Sequence, residues 1–247
     1  MNIGLVKHKI LSKKSLSLLL ALLVVIGLIL YLKYFFTMGV FFDDTFLKKQ
    51  GKYPNIQYVG KTNQGSIQIS VDVLNEDQNN INVTFKLPNN INKQYNVRFK
   101  DSSVWGLSNI VVEDYSDNVI FEGQYNESIS FLFDKYGIPS TNNKTTIVRT
   151  NEKVTYDKNY EVSLKKVVDF AAFANETTRG KLEYLVITVL IFTLTLIDIK
   201  YPLLFFKLNH MFSVKDPEPS DFYISMQQMS WVIMPTIGLA LLIAAVI

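Results

Sequence analysis

Two histidines, His8 and His210, and no cysteine restrict the chemistry open to this 247-residue chain. Without thiols there is no thiolate nucleophile, no thiolate zinc site and no disulfide framework. What remains is carboxylates, hydroxyls and amides. The paired carboxylates are Asp43/Asp44, Glu76/Asp77 and Glu113/Asp114. Paired acids suit proton transfer when both face one cleft. Glu113 and Asp114 fall in a strand-like segment, where neighbours point to opposite faces, which argues against a shared role. Glu76 and Asp77 lie in the Asn-rich turn Asn75–Asn80. Oxygen donors of that kind suit Ca²⁺, but the spacing does not match an EF-hand loop, and a solvated turn explains it better. The expectation is therefore no catalytic residue, no metal ligand and no bound cofactor. Trp105, in Ser102–Leu107, is either a core residue or an aromatic anchor for a partner.

The elements around these residues divide by composition. Three apolar runs, Ser15–Leu32, Leu182–Ile197 and Ser230–Ile247, stand out. The first has eighteen uncharged residues, about 27 Å of helix at ~1.5 Å per residue, close to one hydrocarbon core. Bulky Tyr31, Leu32, Tyr34, Phe35 and Phe36 follow it where a signal-peptide cleavage site would need small residues. An uncleaved anchor is expected, with Phe41, Phe42 and Phe46 as interfacial aromatics. The second run is short. Glu183 interrupts it and Asp198 and Lys200 follow, so it spans only if both carboxylates reach headgroups. In the third run Pro235 should kink the helix, with Thr236 or a neighbouring helix taking up the freed carbonyl. Gly238, Ala240, Ala244 and Ala245 form either a packing face or ordinary lipid-facing surface.

Charge sets the expected orientation. Lys7, Lys9, Lys13 and Lys14 precede the first run without an acidic residue, which places the N-terminus in the cytoplasm. The expected organisation is a cytoplasmic basic tail (1–14), a first transmembrane helix (15–36), an extracytoplasmic domain (37–181), a second transmembrane helix (182–199), a cytoplasmic loop (200–222) and a third transmembrane helix (223–247). The C-terminus then lies outside. Net charge is +3, but residues 37–182 hold 17 basic and 17 acidic residues. A neutral outer domain argues against a nucleic-acid partner, and the basic tail is explained by topology and anionic lipid. Abundant Asn, Lys, Ile and Thr read as a low-GC bacterial composition. The sequons at Asn82, Asn126, Asn143 and Asn175 match chance occurrence in so Asn-rich a chain.

Within 37–181, period-two alternation predicts strands over Ile67–Val73, Ile81–Leu87 and Tyr95–Phe99, then Asn109–Asp114 and Val119–Gly123. Ile129, Leu132, Phe133 and Tyr136 fall at i, i+3, i+4, i+7. Asn126 stands as a cap and Gly137 and Pro139 as stops, which predicts a short helix. Thr145–Arg149 and Lys153–Tyr156 read as strands, and Leu164–Phe173 as a second helix. The fold class expected is a membrane protein: three transmembrane α-helices plus an extracytoplasmic α+β domain, antiparallel, sheet-rich and sandwich-like.

The C-terminal quarter carries a resemblance. Tyr201-Pro-Leu-Leu-Phe-Phe-Lys-Leu208 precedes Glu218-Pro-Ser-Asp-Phe-Tyr223 and an apolar helix. Residues ~185–247 are thereby similar to an uncharacterised family of small bacterial two-helix membrane proteins with an EPSD-x-Y loop. That family places Arg five residues after the Tyr, where this chain has Gln228 beside Gln227. The resemblance implies a helical hairpin. Glu218, Pro219, Ser220, Asp221 and Tyr223 then form either its turn, with Ser220 or Asp221 as helix cap, or a contact site for a partner. Glu183, Asp198, Gln227 and Gln228 are the polar residues of the spans.

These features favour a membrane-anchored binding or accessory protein of a bacterial cell envelope, recognising a membrane-protein partner or a secreted protein or peptide. An immunity-type protector against a secreted toxin or peptide, and a subunit of a transport or secretion complex, are the alternatives. An envelope-acting enzyme is the weakest.

Overall fold

A computed structural model covers all 247 residues and describes 13–74, 79–102, 107–140, 155–157, 159–210 and 217–247. The chain divides into two compact units, Thr37–Arg179 and the helical segments on either side of it.

The central unit is built on one antiparallel sheet of ten strands. The strands are β1 (Met38–Phe42), β2 (Thr45–Lys52), β3 (Asn55–Thr62), β4 (Gly65–Val73), β5 (Asn80–Leu87), β6 (Ile91–Ser102), β7 (Leu107–Asp114), β8 (Val119–Asn126), β9 (Phe131–Asp134) and β10 (Thr177–Thr178). β1 to β9 run as a meander in chain order, and β10 returns to pair with β1. Alternation decides which face is buried. Ile67, Ile69 and Val71, with Val83 and Phe85 on the next strand, are buried, and their polar neighbours look the other way. Tight turns connect the strands. Asp43 and Asp44 both take positive φ between β1 and β2, the backbone a two-residue hairpin of matching twist requires, and aspartate tolerates it.

One helix, α1 (Leu164–Ala171), covers the buried face. Ser163 caps it, accepting from the Lys166 N–H at 3.4 Å. Phe170 is its central contact. The ring lies 5.3 Å from Tyr58, 5.7 Å from Phe85 and 6.1 Å from Phe42. All ten strands belong to one sheet, which curves enough to bring Phe42 of β1 within 6.0 Å of Phe85 of β5, with this helix packed on the buried side.

Two local expectations are overturned. Asn126–Tyr136 is not a helix. The Asn126 side chain accepts from the Ile129 N–H, Ser130 turns through positive φ, and Phe131–Asp134 pairs with Gly123–Asn126 as β9. The strand buries Leu132 and gains ladder hydrogen bonds, while the helically spaced Ile129 and Tyr136 fall in exposed turns. Phe42 is a core residue, 1% exposed, not an interfacial aromatic; Phe41 and Phe46 pack together at 5.2 Å. Asn109–Asp114, Val119–Gly123 and the three earlier strands form as the alternation predicts. Thr145–Arg149, Lys153 and Val154 lie outside the described residues, and Thr155 and Tyr156 belong to no strand.

The helical unit holds α2 (Lys13–Phe35), α3 (Leu182–Lys200), α4 (Leu204–His210) and α5 (Asp221–Ala244). Three of these, over Ser15–Phe35, Leu182–Lys200 and Asp221–Ala244, are long and apolar enough to cross a membrane. Because Asp198, Ile199 and Lys200 stay helical, α3 reaches 19 residues, about 29 Å at ~1.5 Å per residue. The Tyr31 hydroxyl of α2 donates to the Leu242 carbonyl of α5 at 2.9 Å. Gly238 faces Phe192 of α3; a Cβ there would stand 3.0 Å from the ring. Gly238 and Ala245 are buried while Ala240 and Ala244 are exposed, so the small residues divide between packing and outer surface. Pro235 lies inside α5. The Thr236 hydroxyl donates to Val232, its own i−4 carbonyl, rather than to the Trp231 carbonyl that the proline leaves free.

Candidate functional site

On the side of the sheet opposite α1, among the described residues of this unit, the registered rows are mostly polar. One row reads Asn55, Asp72, Asn82, Asn96 and Glu113 across β3 to β7. The next reads Asn80, Arg98, Val111 and Glu122 across β5 to β8. Over this second row lies a shallow depression of about 840 Å³, lined by Asn79, Asn80, Arg98, Lys100, Val111 and Glu122 among others. A second depression of about 510 Å³ adjoins it, reaching Asn109, Gln124 and Lys135. Lys100 and Glu122 line both. The two hollows form one trough with that pair at its waist.

Backbone irregularities frame the trough. In β6 the pairing with β7 skips Lys100, between Phe99 and Asp101. In β8 the pairing skips Ile120, between Val119 and Phe121. Each extra residue bulges its strand and sharpens the local twist. Such bulges re-aim side chains, and the one in β6 carries Lys100 to Glu122, at 2.8 Å.

The charges in the trough are held unequally. Arg98 pairs with Glu113, whose side chain is 8% exposed and also accepts from Asn96 at 3.3 Å. That pair is shielded from solvent on its acidic side. Lys100 and Glu122 are more than half exposed, so their bond contributes little stability and exchanges freely with solvent or ligand. Lys100, by hydrogen bond and charge, and then Lys135 hold the Glu122 carboxyl below the usual carboxylate range. Asp114 is lowered too, chiefly by the Asn118 N–H and side chain, with Ser116 adding to them in an Asx turn.

On the opposite face three acids, Asp43, Asp169 and Glu176, join the layers. Asp43 accepts from Lys166, Tyr160 and Tyr156. Asp169 accepts from Tyr125 at 2.8 Å, Ser130 at 2.5 Å, Lys165 at 2.6 Å and Asn175 at 2.9 Å. Glu176 accepts from Tyr58 and Lys49, each at 2.5 Å. A small crevice between β1 and α1 touches Lys166, Asp169 and Asn175, but its floor is Phe42, Phe170 and Phe173. Asp44 is exposed and acts on the Asp43 cluster only through its charge beside Tyr156. Asp43/Asp44 and Glu113/Asp114 therefore do not act as carboxylate pairs. Glu76 and Asp77 lie outside the described residues, as does Trp105. No cluster of three or more His, Cys, Asp or Glu able to hold a metal occurs among the described residues.

The polar residues of the helical unit meet in part. Asp198 accepts from Gln227 Nε2 at 2.8 Å and Trp231 Nε1 at 2.7 Å, a clamp between α3 and α5. Gln228, one position on, is exposed and takes no part; Glu183 is exposed in the first turn of α3. Ser220 caps α5, accepting from the Tyr223 N–H at 3.2 Å, with Asp221 in the first turn against the helix dipole. The Tyr223 ring packs on Phe206 at 4.9 Å, and Phe206 on His210 at 4.4 Å. Ser220 and Tyr223 thus serve the turn itself, while Glu218 is exposed and Pro219 half-buried.

Residues 187–245 match a family described as a family of unknown function, DUF6199. The match covers the helical hairpin and leaves the sheet domain outside it. No curated protein and no solved structure matches the chain.

Spacing in the sequence does not single out Lys100, Glu122, Asn109, Gln124 or Lys135. The first four occupy the polar positions of strands and Lys135 the turn after β9, which read as ordinary solvated surface. Only the register, with its two bulges, gathers them.

Proposed function

We propose that this chain is a membrane-anchored binding or accessory protein of a bacterial cell envelope, whose sheet domain recognises a protein or peptide partner through the polar face opposite α1. The observation that carries this is the trough waisted by Lys100 and Glu122. It is open, polar and framed by two bulges, whereas the acids of the buried face are spent on joining helix to sheet. A binding surface needs exposed, exchangeable polar groups, and this face presents them.

In this reading the basic N-terminal tail lies in the cytoplasm, residues ~37–181 outside, and the C-terminus outside. Protection against a secreted toxin or peptide, and service in a transport or secretion complex, are both forms of such recognition. The Asp198 clamp supports a packing role for the intramembrane polar groups over an ion path, because both carboxylate oxygens are engaged within the hairpin.

The test is photo-crosslinking in native membranes. A benzophenone amino acid at Asn109 or Gln124 of the full chain should yield one discrete adduct, identified by mass spectrometry. One at Gly27 of α2 serves as the lipid-facing control. Absence of any adduct specific to the sheet positions ends this reading.

A further inference from the structure

We infer that the trough takes an extended peptide segment bearing carboxylate side chains, with Lys100 and Lys135 as its cationic contacts. This rests on the partner-recognition role proposed above and specifies its ligand.

Three features of the trough select that ligand. The first is size. The row from Asn80 to Glu122 crosses three strand spacings, about 14 Å at ~4.8 Å each, and Phe133, registered with Gln124, adds a fourth. An extended chain rises ~3.3 Å per residue, so four to six residues fill the length. The second is the lining. The side-chain amides of Asn109 and Gln124, joined to each other by one bond at 3.3 Å, keep further donor and acceptor capacity for a peptide backbone, and exposed Val119 gives apolar contact. A sugar ring would call for an exposed aromatic face; among the described residues the ring in the lining is Phe99, which packs against the core.

The third is charge. Arg98 is committed to the shielded Glu113; among the described residues Lys100 and Lys135 share the carboxylate of Glu122, and Lys135 also lies over the Tyr136 ring at 5.1 Å. Glu122 behaves as a resident substitute for a ligand acid. It occupies Lys100 through an exposed bond of low cost to break, and it feels the positive charge of Lys135 from the other side. An incoming carboxylate takes Lys100 from Glu122 and gains Lys135 in addition.

The experiment uses the full chain in lipid nanodiscs and fluorescein-labelled hexaglutamate as probe, followed by anisotropy. Hexaglutamate should bind saturably and weaken at least tenfold between 50 and 500 mM NaCl. The Lys100→Glu/Lys135→Glu variant should weaken it at least tenfold. Glu122→Gln should strengthen it about threefold, because the resident competitor is gone. A merely structural bond would not produce that gain. Labelled hexalysine and chitohexaose should not bind. Binding of chitohexaose or hexalysine in place of hexaglutamate, or a Glu122→Gln variant that binds no better, overturns the inference. Should the double variant fail to fold by circular dichroism, Glu122→Gln, isosteric and on the surface, decides alone. A partner adduct at Asn109 or Gln124 that persists unchanged in the charge-reversed chain sinks the acidic ligand while leaving the partner-recognition reading standing.

Discussion

The Tyr125 hydroxyl donates to the Asp169 carboxylate at 2.8 Å and so joins β8 to α1 across the buried side of the sheet. Asp169 is 5% exposed and Tyr125 1%. The two partners are not equivalent. Tyr125→Phe removes one donor and leaves Asp169 with Ser130, Lys165 and Asn175, a loss of about 1 kcal/mol. Asp169→Ala strands four donors, one of them a lysine, and should cost about 3–5 kcal/mol. Chemical denaturation of the detergent-solubilised chain, followed by tyrosine near-ultraviolet dichroism, measures both. Equal losses would mean that Asp169 is not the hub of this cluster.

In the hairpin, Gln227 and Gln228 are adjacent in sequence and unlike in surroundings. Gln227 is buried and donates to Asp198; Gln228 is exposed. Interhelical hydrogen bonds in membranes contribute about 0.6 kcal/mol on average and up to about 1.7. Gln227→Ala should lose about 1 kcal/mol in a sodium dodecyl sulfate unfolding titration, and Gln228→Ala should lose nothing measurable. Trp231 emission, read in a Trp105→Phe background, should shift only with the first substitution.

How far the sequence carries can be read from these same residues. Val71, Val83 and Val97 declare their strands by alternation, because one face of each is buried and the other wet. Met38–Phe42 and Thr45–Lys52 hide theirs. Phe41 and Phe42 look like membrane-interface aromatics until Phe42 is seen to face Phe170. Ile129, Leu132, Phe133 and Tyr136 have helical spacing by coincidence, and the edge pairing of Phe131–Asp134 with β8 outweighs it. The trough was illegible for a different reason. Lys100 and Glu122 stand 22 residues apart on strands that do not pair with each other, and only the sheet register brings them together. The Asp198 clamp was half legible: the polar residues were visible, but only helix packing chooses Gln227 over Gln228.

The orientation of the spans has a clean test, since the native chain has no cysteine. A cysteine replacing Lys86, exposed on β5, should react in whole cells with a membrane-impermeant maleimide. One replacing Glu218, exposed before α5, should react only after permeabilisation. Labelling in the reverse order would invert the topology, and equal labelling of both would remove one span from the membrane.

Buried tyrosines make the sheet domain sensitive to alkali. Tyr58, Tyr125 and Tyr156 are at most 2% exposed. Burial first, and then Glu176 beside Tyr58, Asp169 and Glu127 beside Tyr125, and Asp43 and Asp44 beside Tyr156, push their phenols above the ordinary value near 10. In Tyr125 the Ser130 hydroxyl opposes this without reversing it. The folded state therefore holds these protons more tightly than the unfolded chain. Below pH 10 both states are protonated and the contribution is fully present. Above it, the unfolded chain ionises first, and stability falls by about 1.4 kcal/mol per tyrosine per pH unit, or about 4 kcal/mol for the three. Against a domain stability of about 5–15 kcal/mol, the sheet should unfold between about pH 11 and 14. Absorbance at 295 nm should show exposed tyrosines such as Tyr115 titrating smoothly near pH 10. A later, cooperative step should coincide with loss of far-ultraviolet dichroism. Full titration of all tyrosines near pH 10 with the dichroism intact would mean that these phenols are not buried as described.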